Sequence, residues 1–260
     1  MASNQILLRD DRDGIARLTL NRPEARNALS LGLIQALQEE IDHIAEQPAV
    51  KVVVIAANGP AFSAGHDLKE IRSNPSIKAY EELFDRCSRL MVSITRLPKP
   101  VIARVHAMAT AAGCQLVATC DLAVAADSAR FATPGVNIGL FCSTPMVALT
   151  RAVGRKKSME MLLSGEAIDA KEAERIGLVN QSVPDSELDQ TVDRLAQGIA
   201  AKSPATLAIG KEAFYRQIEL GLEDAYAYAG AVMVKNMAAK DAIEGIDAFI
   251  AKRPPIWQGR

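Results

Sequence analysis

Two stretches of the 260-residue chain join small residues to a helix start: FSAGHDLKE (62–70) and ATAAGCQL (109–116). At a helix start the first backbone N–H groups lack partners inside the helix. The macrodipole adds roughly half a positive charge there. Alanine and glycine leave those groups open to approach. Two such ends aimed at one oxygen make an oxyanion hole, in which each well-placed donor contributes about 10²–10³ in rate. The same spacing also suits close packing of a helix on a strand, so the loops alone leave both readings open. Three side chains carry the remaining chemistry. His66 titrates near working pH, although its backbone N–H alone also fits a role. Gln115, one turn into the second helix, orients water or a carbonyl by hydrogen bonds but carries no exchangeable proton near neutral pH; it equally fits a polar residue satisfied at a helix contact. Cys142 is a thiol with an ordinary pKa of about 8.5, a base or nucleophile only where its surroundings lower that value, and otherwise a small buried residue.

These residues need strands and helices to hold them. QILLRDDRDGIARLTLN reads as two strands around a turn at Asp13-Gly14. Ser30 is placed to cap a helix whose stripe is Leu33, Ile34, Leu37, Ile41 and Ile44. KVVVIAA (51–57) is a β-branched run of the kind buried on both faces of a sheet. NGPAFSAGHD reads as a loop before a helix that Asp67 caps, and Ser76 caps a longer helix ended by Pro98 and Pro100. VIARV (101–105) and DLAVAA (121–126) are further strands, and MATAAGCQLVATC between them is a loop-to-helix unit. Strand and helix alternate, which implies crossovers and an α/β core over 1–184. From 185 to 260 the pattern is helical, with a stripe of Leu188, Val192, Leu195 and Ile199 and helices over 204–219, 222–239 and 240–251. DAYAYAGAVMVKNMA exposes more apolar surface than a lone helix tolerates and points to a second copy of the chain.

Several function classes drop out. A net charge of −1 with no Lys/Arg block disfavours nucleic acid and membrane surfaces as partners. The longest uncharged stretch, Val105 to Cys120, falls short of the ~20 residues a membrane span needs. Cys87, Cys114, Cys120 and Cys142 show no CxxC spacing and the three histidines are scattered, so no metal site is expected. His43 and His106 read as structural, as does Asp121. The amino terminus lacks a secretory pattern, and with reduced thiols this suggests a cytoplasmic protein. No GxGxxG or GxxxxGK[ST] occurs, and FSAG lacks the first glycine of a nucleophile elbow.

LNRPEARNALS, AFSAGHDLKEI, MATAAGCQLVATCDLAVA, FATPGVNIGLFCSTP and MEMLLSGEAIDAKEAERIGLVNQSV occur in one order, with a late FIAKRPPIW. Together they closely resemble the crotonase, or enoyl-CoA hydratase/isomerase, superfamily, over essentially the whole chain. The resemblance implies an α/β spiral of ββα units with a C-terminal helical trimerisation region, assembled as a homotrimer or a dimer of trimers. It implies an acyl-CoA substrate and no separate cofactor. The thioester carbonyl would sit between the N–H groups of His66 and Ala112, stabilising an enolate. CoA would lie along Ala25, Arg26, Ala28 and Ala64, with Lys252 or Trp257 of this or a neighbouring chain near the nucleotide. Hydratases of the family place two glutamates across the substrate's double bond. Those positions match Gln115 and Gly135 here, so strict hydration is in doubt. Some family decarboxylases carry a similar AGHD stretch, but their later tyrosine falls at Cys142. Three readings follow: an enoyl-CoA hydratase/isomerase-type enzyme of the lyase class in fatty acid metabolism, a decarboxylase or thioesterase on acyl-CoA, or a non-catalytic acyl-CoA binder.

Overall fold

The computed structural model describes residues 5–259; the first four residues of the terminal stretch read above lie outside them. The chain opens with a hairpin, β1 (Leu7–Arg12) and β2 (Ile15–Leu20), paired antiparallel. Asp13 and Gly14 both take positive φ, 52° and 78°, as a two-residue turn that follows strand twist requires. Helix α1 (Leu31–Ala45) follows, with the Ser30 side chain accepting from the Leu33 N–H. Its buried stripe is the one the 3.6-residue period gives, Leu33 to Ile44.

From there the chain climbs in repeated turns. The first turn holds β3 (Val52–Ala57), β4 (Ala61–Ser63), α2 (Leu68–Ser73) and α3 (Ile77–Arg96). The second holds β5 (Val101–Val105), β6 (Met108–Thr110) and α4 (Ala112–Thr119). The third holds β7 (Leu122–Ala126), β8 (Arg130–Ala132), α5 (Ser143–Ala152) and α6 (Arg155–Ser164). Then come β9 (Ile168–Asp169), α7 (Ala170–Arg175) and β10 (Gln181–Val183). Each turn lays its first strand on a six-stranded sheet, order β1-β2-β3-β5-β7-β10, and its second on a four-stranded sheet, order β4-β6-β8-β9. Neighbouring strands from successive turns run parallel in both sheets. This is the α/β spiral of ββα units.

Every residue of β3 is buried, and alternate side chains go to opposite faces. Val53, Ile55 and Ala57 join the core with Leu33, Leu37 and Leu90. Val52 and Val54 meet Leu188, Val192 and Ala196 of α8 (Leu188–Ala200) on the other face. Arg104 fastens α8 to β5 through a two-pronged bond to Asp189, at 2.7 and 2.8 Å. The small sheet corrects the sequence reading: NGPAFSAGHD is not all loop, and 108–110 is not part of a helix entry. Strands of three residues are too short to show alternation; their burial, with Phe62 and Phe131 fully enclosed, is what holds them.

The chain ends in α9 (Pro204–Gln217), α10 (Leu222–Met237) and α11 (Lys240–Ile250). The one buried residue of α9 is a lysine, Lys211. Its ammonium donates to the Ile94 and Lys99 carbonyls at 2.9 Å and to Asp121 at 2.6 Å. Asp121 also accepts from the Tyr215 hydroxyl and the Val101 N–H, which is the structural role its sequence position suggests. No residue of α10 is buried.

Candidate active site

The first loop begins where β4 ends. Gly65 turns the chain at φ 87°, and its carbonyl accepts from the Leu29 N–H at 2.7 Å. Asp67 caps α2, accepting from the N–H groups of Lys69 and Glu70. Its other oxygen accepts from Arg22 at 3.0 Å, and this pairing helps hold its carboxyl below the usual carboxylate range against the opposing effect of burial. Asn27, fully buried at φ 52°, donates to the carbonyls of Asn58 and Ala61. The Ser63 hydroxyl donates back to Asn27 O at 2.9 Å, and Ala64 N–H to Arg26 O at 3.0 Å. Segment 22–30 is thereby fixed along this loop. It brings together Ala25, Arg26, Ala28 and Ala64, the four positions expected to face CoA.

The second loop begins where β6 ends. Ala111, a non-glycine residue, stands at φ 48°, ψ −117°, held by its N–H on Ala132 O at 2.9 Å. Such backbone costs of order 1–3 kcal/mol and persists where its surroundings enforce it. It sets Ala112 at the start of α4, where its N–H has no partner inside the helix. The two loops touch. A methyl built on Gly65 would lie 2.9 Å from Ala111 Cβ and 3.3 Å from Ala112 N; one on Gly113 would lie 2.3 Å from Ser63 O. Only glycines allow this approach. Among the described residues, neither the His66 N–H nor the Ala112 N–H has a hydrogen-bond partner. Two unpaired donors therefore stand on adjoining loops, one at a helix start with its share of macrodipole charge.

The side chains around them are short of proton carriers. Gln115 is 4% exposed, and its Oε1 has no hydrogen-bond partner among the described residues. Gly135 has no room for any side chain: a methyl there would lie 2.8 Å from Leu140 O and 3.0 Å from Cys142 Sγ. Cys142 packs over that glycine just before α5. Burial pushes its thiol up, the Gly135 backbone opposing in part, so the thiolate is scarce at neutral pH. Cys114, beside Gln115 on α4, is pushed up to about 12 by complete burial. The imidazole of His66 meets Phe84 edge to face, with centroids 5.4 Å apart. Both its nitrogens are shielded from solvent without a well-formed hydrogen bond. Burial pulls its pKa below the ordinary value, a Leu29 backbone group opposing. It stands neutral at pH 7.

Other expected residues lie elsewhere. The Trp257 indole N–H donates to Ala201 O at 2.9 Å and its ring lies against Gly245, so it belongs with the C-terminal helices. Lys252 follows α11 in the left-handed region, φ 52°. His43 bonds Gln47, and His106 bonds Gly59 O. Among the described residues no group of three His, Cys, Asp or Glu side chains is placed to hold a metal.

Sequence reasoning missed a cavity of about 830 Å³ between α3, α4, α5 and α9. Gln115 and Thr119 line it from α4, Val147 from α5 and Ile209 from α9. No local signal marks it, because its walls meet only in three dimensions.

The Enoyl-CoA hydratase/isomerase family profile matches residues 10–260. A protein of Rattus norvegicus named enoyl-CoA hydratase domain-containing protein 3, mitochondrial, is 50% identical over 245 residues, which is 94% of this chain and 82% of the relative. The crystal structure of an enoyl-CoA hydratase from Mycobacterium smegmatis superposes with a TM-score of 0.95 at 55% identity, covering 97% of this chain and 99% of the other. That of human enoyl Coenzyme A hydratase domain-containing protein 3 does so with a TM-score of 0.95 at 48% identity, covering 97% and 100%.

Proposed function

This chain belongs to the enoyl-CoA hydratase/isomerase family, and on that premise we propose that it is an acyl-CoA thioester enzyme whose His66 and Ala112 N–H groups stabilise a thioester enolate. The observation that carries the reading is the pair of unbonded amides on loops in van der Waals contact. Negative charge developing on a thioester oxygen would meet donors already oriented, with no reorganisation needed as the charge forms. CoA would lie along Ala25, Arg26, Ala28 and Ala64. Lys252 or Trp257, of this or a neighbouring chain in a trimer or dimer of trimers, would lie near the nucleotide.

A second reading within this one is favoured by the proton carriers that are missing. Gln115 and Gly135 supply neither acid nor base, so water addition has no agent. Decarboxylation needs none. The Cα–carboxylate bond breaks, CO₂ leaves, and the electron pair it gives up becomes the enolate held by the two N–H groups. A proton from solvent then closes the Cα. The neutral His66 imidazole would then orient the departing carboxylate.

Calorimetry with acyl-CoA thioesters, beside a turnover screen of crotonyl-CoA and malonyl-CoA, tests both readings. Binding with loss of CO₂ from malonyl-CoA and intact crotonyl-CoA is expected. Tight binding with no product on any thioester makes the protein a non-catalytic binder. No binding and no turnover end the proposal. Replacing Ala112 by lactic acid turns its N–H into an ester oxygen and is expected to cost about 10²–10³ in kcat. Cytoplasmic residence belongs to the proposal on the strength of four free thiols; co-fractionation with mitochondria would overturn it.

A further inference from the structure

The cavity beside Gln115 has a mixed lining that a plain hydrocarbon tail does not call for. Its walls are largely apolar, with Met91, Ala118, Val147 and Ile209 among them, yet three arginines and two glutamates also border it. Arg151 and Glu219 neutralise each other at 2.9 Å. Arg216 lies 4.5 Å over the Tyr228 ring, which leaves its charge unspent on any carboxylate. Arg96, in the last turn of α3, has no ion pair among the described residues. Glu212 is the one remaining acid in this lining, so the lining keeps an excess of positive charge.

Gln115 ties this cavity to the amide pair. It stands one turn beyond Ala112 on the same helix, it borders the cavity, and its buried amide keeps an oxygen without a partner. A buried unsatisfied group of this kind costs roughly 1–3 kcal/mol until something bonds it. The eight residues of α4 span about 12 Å at 1.5 Å per residue, the reach of a medium-length acyl chain.

We propose that the cavity receives the far end of the acyl chain and selects thioesters that carry a second carboxylate at that end. The inference rests on the acyl-CoA reading above. With the thioester carbonyl at the start of α4, the chain passes Gln115, runs between the apolar walls, and delivers its terminal carboxylate to Arg96 and Arg216. The Gln115 amide bonds the polar atoms nearer the thioester. An uncharged or cationic chain end gains nothing from the arginines.

The test compares calorimetric affinities for octanoyl-CoA and octanedioyl-CoA, which share a chain length and differ in the terminal carboxylate. Two solvent-facing cations favour the diacid by roughly tenfold at low ionic strength, and added salt narrows the gap. In the double variant Arg96→Gln/Arg216→Gln the ratio falls toward one. Both side chains are exposed, so the fold survives the change. Equal affinities, tighter octanoyl-CoA, or a diacid preference that persists in the double variant overturn this inference and leave the acyl-CoA reading standing. Failure of both thioesters to bind overturns the reading as well.

Discussion

At the residue scale the candidate site pairs two N–H groups without hydrogen-bond partners among the described residues with side chains that carry no exchangeable proton near neutral pH. Gly135 shows that the second absence is built in. Gly135→Glu forces a side chain into Leu140 O and Cys142 Sγ; it is expected to lower stability by about 1–3 kcal/mol and to give no hydratase activity. Denaturant midpoints and a crotonyl-CoA assay check this. Gln115→Glu is the contrast, since that position borders open space. It is expected to fold, with a carboxyl titrating above the ordinary Glu value of about 4.3 because burial disfavours its charge; carbon-detected titration reads it. His66 gives a pH dependence. Its folded pKa lies below the unfolded value of about 6.5, so the unfolded chain binds protons first as pH falls. Stability is therefore full above pH 6.5 and declines through the window down to the folded pKa. Urea midpoints between pH 7.5 and 5 are expected to fall, and His66→Gln to flatten that slope; an equal slope in both proteins would refute the assignment. Residue types and spacing made the two loops legible in the sequence. The contact between Gly65 and Ala112 was not, because it joins residues nearly fifty apart in a backbone geometry no local pattern encodes.

At the element scale, strong local patterns declared themselves: α1 and α8 stand where their stripes placed them, β3 where its β-branched run did, and the hairpin turn at Asp13-Gly14. The second sheet did not, since β4, β6 and β8 are three residues each, too few for in-out alternation to stand out from chance. They persist because tertiary contacts bury them. Helix α9 is a similar case. The sequence marked it only as a helix over 204–219, and what anchors it is Lys211 on Asp121 and two carbonyls. Lys211→Met removes the partner of an acid with little access to water. Removing one member of a buried pair costs about 3–5 kcal/mol, so a loss of that order is expected in chemical denaturation. Hydrogen exchange is expected to quicken in α9 more than in α1; a uniform change along the chain would show that the lysine does not anchor that helix.

At the scale of the whole molecule, one face stays bare. Leu222, Tyr226 and Val234 of α10 are about three-quarters exposed, and Phe249 of α11 is 85% exposed. A 16-residue helix with no buried residue draws little stability from its own propensity, so a second copy of the chain is the covering its surface suits. Sedimentation is expected to show trimers or hexamers, and Phe249→Glu to shift them toward monomers; a wild-type monomer at micromolar concentration would end this expectation. The bare helix also packs on α9, which roofs the cavity next to Gln115. Dilution should then act as an inhibitor in its own right. As subunits part, the roof loosens, and specific activity drops with protein concentration even when thioester is saturating.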